Sequence, residues 1–219
     1  MNPSQFYDLL AQVRIVPVLV LPQADGAFDL GAALVAGGIP IAEVTFRTDA
    51  AEAAIAAMST VDGLVVGAGT VTTADQVDRA AKAGARFVVS PGISESVVRR
   101  CRELDIQVLP GVATATDIMT ALDLGVDVVK FFPAEIAGGL PAIRALAGPF
   151  PAVRFVPTGG ITAMSALDYL AHPSVLAVGG SWMAPAEVIG RSDWGMARDL
   201  AAETIGIIAA GVDDAVAAR

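Results

Sequence analysis

The residue with the clearest chemical potential is Lys130, which lies within an apolar run, Val126–Pro133, that is typical of a buried strand. Burying an ammonium group is costly, so a lysine at this position needs either a partner or a function. In an apolar, partly desolvated site, an amine holds its proton less tightly and can attack a ketone to form a Schiff base. For such a lysine taken alone, the more frequent alternative is a structural side chain that reaches water or pairs with an acid.

A second apolar run, Ile41–Phe46, carries a carboxylate and is followed by an arginine. Because side chains alternate along a strand, Glu43, Thr45 and Arg47 share one face, which we predict to point inward. If Lys130 lies in the same interior, Arg47 would weaken its hold on the proton by charge repulsion, and Glu43 would be a proton carrier. An internal Glu43–Arg47 ion pair is the structural alternative.

Two further turns follow apolar runs and carry candidate binding residues. The segment Gly67–Val71 contains glycines that would let a ligand approach the backbone, and Thr70 offers a hydroxyl group there. A simple tight turn is the alternative for this segment. Pro91 follows the next run and would serve either as a turn residue or as an apolar wall.

Paired glycines follow the last two apolar runs, at Thr158-Gly159-Gly160 and at Gly179-Gly180-Ser181. Glycines placed before helix starts expose backbone amides, which bind phosphate together with the helix dipole. Loops after the last two strands are the usual phosphate site of barrels with this strand order. Neutral amides would let a protein with a formal net charge of −9 hold an anion without lysine or arginine.

Short apolar runs recur at intervals of roughly 20 to 27 residues, which suits strands that alternate with helices. Helical periodicity and an N-terminal Ser or Thr cap characterise the segments between them, such as Thr73–Ala83 and Ala113–Leu124. The eight runs are Arg14–Val20, Ile41–Phe46, Leu64–Thr70, Phe87–Ser90, Ile106–Pro110, Val126–Phe132, Arg154–Thr158 and Val175–Gly179.

Eight βα repeats with strands buried on both faces predict a closed (β/α)8 TIM barrel of α/β class. We expect a single domain over residues 1–219, with an extra N-terminal helix at Asn2–Gln12 and a helical tail from residue 184. An open doubly wound sheet is the alternative. It usually shows a glycine fingerprint after the first strand, and none follows Val20.

Composition excludes several classes of function. With 54% hydrophobic and 17% charged residues, the chain forms a compact globule, and without a basic cluster it has no affinity for nucleic acid or anionic membranes. One cysteine, Cys101, and one histidine, His172, exclude a disulfide within the chain and a Cys/His metal cluster. We interpret the first as a buried or idle thiol and the second as structural or solvated, not as a catalytic base. Without a signal pattern or a spanning apolar stretch, we expect a cytoplasmic protein.

Taken together, segments distributed along nearly the whole chain resemble the 2-keto-3-deoxy-6-phosphogluconate (KDPG) aldolases. This family comprises class I lyases of the Entner–Doudoroff pathway that often also cleave 4-hydroxy-2-oxoglutarate. The most specific segments are Glu43-Val-Thr-Phe-Arg-Thr-Asp49 and Val129-Lys-Phe-Phe-Pro-Ala-Glu135. Phe46 stands where many members carry leucine, which is a conservative change on the outward face.

The resemblance implies that Lys130 forms the Schiff base, that Glu43 shuttles protons, and that Arg47 and Thr70 hold the carboxylate at the pyruvate end of the substrate. It implies no metal or cofactor, a phosphorylated 2-keto acid as substrate, and a homotrimer. The remaining implied residues shape the pocket (Phe132, Pro91 and Thr158) or hold the distal phosphate (Gly159, Gly160, Gly180 and Ser181).

Two other functions stay open at this point. A phosphosugar isomerase or decarboxylase on the same barrel would use the phosphate loops but needs no nucleophilic lysine. A non-catalytic barrel that binds phosphorylated keto acids would release no pyruvate. Within the aldolase hypothesis, the sequence does not separate gluconate-derived from galactonate-derived substrates, or phosphorylated substrates from 4-hydroxy-2-oxoglutarate.

Overall fold

The computed structural model describes residues 2–217, with side-chain burial for residues 2–211. Its strands alternate with helices along the chain. The strands are β1 (Ile15–Leu19), β2 (Ile41–Thr45), β3 (Val65–Gly69), β4 (Phe87–Val89), β5 (Gln107–Leu109), β6 (Gly111–Val112), β7 (Val128–Phe131), β8 (Arg154–Pro157) and β9 (Val178–Gly180). The helices are α1 (Pro3–Val13), α2 (Ala27–Ala36), α3 (Ala51–Met58), α4 (Ala74–Lys82), α5 (Glu95–Glu103), α6 (Ala115–Asp123), α7 (Gly139–Ala147), α8 (Ala163–Leu170), α9 (Ala186–Gly190) and α10 (Trp194–Ala217).

The prediction of a closed eight-stranded TIM barrel is wrong. The described strands form two parallel sheets, one with the order β5-β4-β3-β2-β1-β9 and one with the order β6-β7-β8. Pro110, which has no N–H to donate to a ladder, lies between β5 and β6 at one junction of the sheets. The predicted fifth strand, Ile106–Pro110, corresponds to β5 alone, and β6 follows it. At the other junction, only isolated bridges join the two sheets, for example between Thr158 and Gly179. The architecture is therefore a related but distinct (β/α) arrangement.

The local elements nevertheless lie close to where the sequence places them. The segments predicted to be helical over Thr73–Ala83 and Ala113–Leu124 correspond to α4 and α6, and the N-terminal helix corresponds to α1. Thr73 and Thr114 cap their helices by accepting N–H bonds in the first turn. The predicted helical tail corresponds to α9 and α10, and its last two residues lie outside the described residues. A single cluster of buried apolar side chains extends from α1 to α10.

Aromatic packing closes the amino-terminal side of the strands. The Phe6 ring of α1 packs on the Phe87 ring at the start of β4, with 5.1 Å between ring centroids. A Cβ atom at Gly67 would lie 2.5 Å from the Phe87 ring, so this glycine makes room for an aromatic side chain and not for a ligand. The prediction that a ligand approaches the backbone at Gly67 is therefore wrong, and chemistry is left to the carboxyl ends of the strands.

Across the described residues, no helix combines the length and the hydropathy that crossing a bilayer would require.

Cys101 is fully buried on α5, and burial raises the pKa of its thiol to about 12. Because only the thiolate is a good nucleophile, we expect no reaction with an aromatic disulfide reagent at pH 8 in the folded protein. One equivalent should react after unfolding in guanidinium chloride. Rapid modification of the folded protein would contradict this placement of Cys101.

Candidate active site

A buried contact between Lys130 and Glu43 lies at the centre of the candidate site. Lys130 belongs to β7 and Glu43 to β2, so the contact joins the two sheets. The lysine Nζ lies 3.2 Å from Glu43 Oε1 and 3.4 Å from Oε2, and the two side chains are only 6% and 4% exposed. Desolvation of both charges is costly, and their mutual hydrogen bonds offset it. The lysine therefore has a partner in the interior and does not reach bulk water.

The strand β2 explains why the carboxylate points inward. All five of its residues are buried. Glu43 contacts Lys130 in the interior, and strand alternation places Thr45 on the same face as Glu43. The Thr45 hydroxyl donates a hydrogen bond of 2.9 Å to the Leu19 carbonyl of β1 and is satisfied within the sheet. Within the described chain, Lys130 is the one side chain that donates a hydrogen bond to the Glu43 carboxylate. The carboxylate thus has lone pairs that can accept further hydrogen bonds.

Phe132 supplies an apolar surface beside the amine. Its ring centroid lies 5.3 Å from Lys130 Nζ, within the range of a cation–π contact. The same residue and Pro91 line a small cleft of about 90 Å³ that also includes Gly92 and Gly111. The structure therefore brings the lysine together with the carboxylate and with Phe132, and Pro91 joins this group only through the cleft that it shares with Phe132.

Arg47 lies at the carboxyl end of β2 but not against the lysine. Because β2 ends at Thr45, strand alternation no longer fixes the direction of Arg47, and its side chain is exposed. The Thr48 hydroxyl donates a 2.6 Å hydrogen bond to the Leu21 carbonyl and anchors this turn. Among the side chains of residues 2–211, the Arg47 guanidinium has no partner in an ion pair or a hydrogen bond, so the alternative of a Glu43–Arg47 ion pair is not found. Arg47 is a cation at the rim of the site.

Thr70 directly follows β3 and has an unusual backbone conformation. Its φ of 56° lies in the left-handed region, where a β-branched residue is strained. The strand register places Gly69 opposite Thr45, so Thr70 extends past the carboxyl end of β2 at the same rim as Arg47. The two residues predicted to hold a carboxylate thus follow the ends of adjacent strands.

The two glycine pairs lie side by side, because the bridge between Thr158 and Gly179 aligns the segments that follow them. Gly159 and Gly160 have φ values of 103° and 80°, which favour glycine strongly. Within the described part of the chain, the backbone N–H groups of Gly159, Gly160 and Ser181 donate no hydrogen bond to another residue. Three amide donors therefore remain available to an anion, and Gly160 and Ser181 are exposed to solvent.

The helix dipoles contribute less to this loop cluster than the sequence pattern suggests. At the start of α8, Thr162 and Ser165 form a reciprocal capping box that uses two of the first amides. The helix α9 begins only at Ala186, five positions after Ser181, and has 5 residues. An anion here would be held by the loop amides.

Some of the glycines have a packing reason that the sequence analysis missed. A Cβ atom at Gly179 would lie 3.0 Å from the Thr158 side-chain methyl, and one at Gly180 would overlap the Trp182 ring. A Cβ atom at Gly160 would lie 2.6 Å from Glu135 Cγ. These glycines allow neighbouring side chains to pass close to the loops. In the sequence, this packing role is indicated only where a bulky residue lies within two positions of the glycine, as Trp182 does for Gly180.

Glu135 was also missed as a residue that shapes the glycine loop. Its carboxylate accepts a 2.6 Å hydrogen bond from the Tyr169 hydroxyl, and its N–H donates to the Gly159 carbonyl at 3.1 Å. Burial and the neighbouring carboxylate raise the pKa of Tyr169 well above its ordinary value. Glu135 therefore helps to fix the backbone of the loop that contains Gly159 and Gly160.

His172 is structural, as the sequence analysis interprets it. Its Nδ1 accepts the N–H of Ser174 at 3.2 Å. Burial and the nearby Arg144 lower the pKa of His172, so the imidazole is neutral at pH 7.

Comparisons with known proteins agree with this arrangement. The sequence profile described as "KDPG and KHG aldolase", an aldolase family, matches residues 7–200. The chain is 47% identical over 203 residues to 2-dehydro-3-deoxy-phosphogluconate aldolase of Treponema pallidum, covering 92% of this chain and 97% of that protein. It is 51% identical over 172 residues to the enzyme of the same name from Zymomonas mobilis, covering 78% and 83%.

The chain belongs to the KDPG and KHG aldolase family. A crystal structure of KDPG aldolase from Legionella pneumophila superimposes with a TM-score of 0.87 at 39% identity, covering 90% of this chain and 97% of that chain. That structure holds pyruvate captured at low pH as a covalent carbinolamine intermediate. Membership makes this protein an enzyme of the aldehyde-lyase class, which breaks carbon–carbon bonds.

Removing one partner of the Lys130–Glu43 pair should cost more stability than removing both. Lys130→Met leaves a carboxylate in the interior without its cation, so we expect a loss of about 3 kcal/mol in the free energy of unfolding by urea at pH 7. The double variant Lys130→Met/Glu43→Gln should regain most of it. Equal stability of the single and double variants would show that the contact does not couple the two residues.

Proposed function

We propose that this enzyme is a class I aldolase that cleaves 2-dehydro-3-deoxy-6-phosphogluconate to pyruvate and D-glyceraldehyde 3-phosphate through a Schiff base on Lys130. The observation that carries the proposal is the buried contact between Lys130 and Glu43, which places a nucleophile and a proton carrier within 3.4 Å of each other. Family membership and the two named relatives support the same substrate.

Imine formation begins with a proton transfer within the pair. The lysine ammonium gives a proton to the Glu43 carboxylate, and the neutral amine attacks C2 of the keto acid to form a carbinolamine. Glu43 then returns a proton to the departing hydroxyl group, and water leaves. The resulting iminium carries the positive charge that the ammonium carried before. The Phe132 ring, 5.3 Å from the nitrogen, stabilises this cation and excludes water on one side.

Cleavage uses the iminium as an electron sink. Glu43, again a carboxylate, takes the proton of the C4 hydroxyl group, the C3–C4 bond breaks, and its electrons move to the iminium nitrogen. The aldehyde product leaves, and an enamine remains on Lys130. Glu43 next gives its proton to C3 of the enamine. Hydrolysis of the pyruvate iminium releases pyruvate and restores the ammonium–carboxylate pair.

The ends of the substrate are assigned to the rim of the site. Arg47 and Thr70 hold the carboxylate of the pyruvate end, since Arg47 has a free guanidinium among the described residues and both follow the ends of adjacent strands. The amides of Gly159, Gly160 and Ser181 hold the distal phosphate, and Gly180 shapes that loop. Thr158, Pro91 and Phe132 form the walls between them. The proposed chemistry needs no metal or organic cofactor.

The family description also supports a second substrate, 4-hydroxy-2-oxoglutarate, which the same steps would cleave to pyruvate and glyoxylate. The family resemblance further predicts a homotrimer and a cytoplasmic enzyme of the Entner–Doudoroff pathway. Light scattering after size exclusion would measure the oligomeric state. Nothing in the site favours an isomerase, a decarboxylase or a non-catalytic binding protein, because none of these functions explains a buried lysine–glutamate pair.

Replacing Lys130 tests the nucleophile. The chain contains a second lysine, Lys82, which is exposed at the end of α4 and serves as the matched control. Lys130→Ala should lower kcat by more than about 10⁴-fold in a lactate dehydrogenase-coupled assay, since the covalent step is lost. Lys82→Ala should keep wild-type turnover. Substantial turnover by Lys130→Ala would contradict the proposed function.

Replacing Glu43 separates proton transfer from imine formation. Glu43→Gln keeps the size of the side chain but removes its capacity to carry a proton, so kcat should fall by about 10²- to 10⁴-fold. After long incubation, borohydride should still trap pyruvate on Lys130 of the variant, because water can carry the proton transfers of imine formation at a lower rate. Unchanged turnover would rule out the proton role of Glu43.

Adding a negative charge to the glycine loops tests the phosphate site. Ser181→Asp should raise KM for the phosphorylated substrate by roughly tenfold or more, because the new carboxylate repels the phosphate. Exchange of the pyruvate methyl protons with solvent uses Lys130, Glu43 and the residues that hold the pyruvate carboxylate, but not the phosphate loops, so it should stay at the wild-type rate. An equal loss in both assays, or in neither, would argue against this assignment.

A further inference from the structure

We propose that Gly69 is a positioning residue for the aldolase reaction, because the space left by its missing side chain is where the Glu43 carboxylate lies. The inference rests on the function proposed above. It concerns a residue at the end of β3 that has no side chain to touch the substrate and directly precedes Thr70, which is assigned to the carboxylate end.

The geometry of the two strands produces this relation. β2 and β3 are parallel neighbours, with Glu43 opposite Gly67 and Thr45 opposite Gly69. The Glu43 side chain leans along the strand toward Gly69. A Cβ atom at Gly69 would lie 2.5 Å from Glu43 Cγ and 2.6 Å from Cδ, and closer still to Oε1. These three atoms of one side chain are its nearest neighbours, so any side chain at this position displaces the catalytic carboxylate.

Backbone conformation does not explain the glycine. Gly69 lies within β3 and has no positive φ, in contrast to Gly159 and Gly160. Alanine is therefore compatible with the backbone at this position, and the Glu43 carboxylate is the obstacle. Since that carboxylate is the far end of a flexible side chain, the protein can fold around the change by moving it.

The displacement is large on the scale of the chemistry. Non-bonded carbon atoms prefer separations of about 3.5 Å or more, so Glu43 must move by roughly 1 Å. Its oxygens now lie 3.2 and 3.4 Å from Lys130 Nζ, and a shift of that size breaks this contact. A misplacement of about 1 Å can reduce the rate of a positioned proton transfer by about 10²-fold. The lysine itself keeps its place on β7.

Gly67 provides a matched control on the same strand and the same face. A Cβ atom at Gly67 would overlap the Phe87 ring, with an ordinary strand conformation at this glycine as well. Gly67→Ala therefore introduces the same methyl group and a comparable clash, but into the apolar packing beneath α1. It should lower the midpoint of thermal unfolding and leave proton transfer per folded molecule unchanged.

The experiment measures two steps of the reaction on Gly69→Ala, Gly67→Ala and the wild type. Solvent exchange of the pyruvate methyl protons reports proton transfer by Glu43, and borohydride trapping of pyruvate reports imine formation. We expect Gly69→Ala to lose about 10²-fold in the rate of exchange and to keep the final yield of trapped pyruvate, after long incubation, within about threefold. Adding Gly69→Ala to Glu43→Gln should produce no further loss. A crystal structure of Gly69→Ala should show the carboxylate moved away from Lys130 Nζ.

Three outcomes would overturn the inference: wild-type exchange in Gly69→Ala, an equal loss of exchange and trapping, or an additive loss in the double variant. An unmoved carboxylate in the crystal structure would also overturn it. Failure of the proposed function has a different signature, since the wild type itself would then form no trapped imine.

Discussion

The structure depends on one buried contact between an ammonium and a carboxylate that come from different sheets. Two charges can lie in an apolar interior only if they satisfy each other, and Lys130 and Glu43 do so through two hydrogen bonds. The contact lies where β2 and β7, strands of two separate ladders, face each other. The interruption of the ladder at Pro110 does not separate the sheets at this junction, because the Pro110 carbonyl accepts a hydrogen bond of 2.9 Å from the Lys130 N–H, and the Lys130–Glu43 pair adds a contact in the interior.

The same pair explains how one carboxylate serves several proton transfers. It is close to the amine before the substrate arrives, and its burial keeps competing water away. Phe132 adds an apolar face on the other side of the nitrogen. The rim beyond this interior is polar, with an exposed guanidinium on one strand end and exposed amides on the glycine loops. The buried centre of the site therefore carries the bond-breaking chemistry, and the solvent-exposed rim binds the charged ends of the substrate.

Packing of the site is achieved largely by glycines that leave room for side chains. Gly69 leaves room for Glu43, Gly179 for Thr158, and Gly160 for Glu135. In each case the functional or supporting side chain lies in space where a Cβ atom would otherwise be. The price of such an arrangement is intolerance to the smallest substitution, an addition of a single methyl group.

Much of the site could be predicted from the sequence, because charged residues in apolar strands are rare and strand alternation gives their direction. This reasoning succeeded for Glu43, whose strand is long enough to fix its face. It does not reach Arg47, which follows the strand end, so the direction of this side chain stays a prediction. The prediction of a closed barrel was wrong, because the ladder is interrupted at Pro110, whereas Pro17 and Pro157 lie within β1 and β8 and no local pattern separates these cases. The glycines of β3 were interpreted as ligand contacts because the register between neighbouring strands, which places Glu43 and Phe87 against them, depends on tertiary structure.

The most direct test of the account is to map the covalent adduct. The wild-type enzyme is reduced with borohydride in the presence of isotopically labelled pyruvate, digested, and analysed by tandem mass spectrometry. With only two lysines in the chain, the result is unambiguous. The account predicts one reduced pyruvate on Lys130 and none on Lys82. Label on Lys82, or a protein that carries no label, would contradict it.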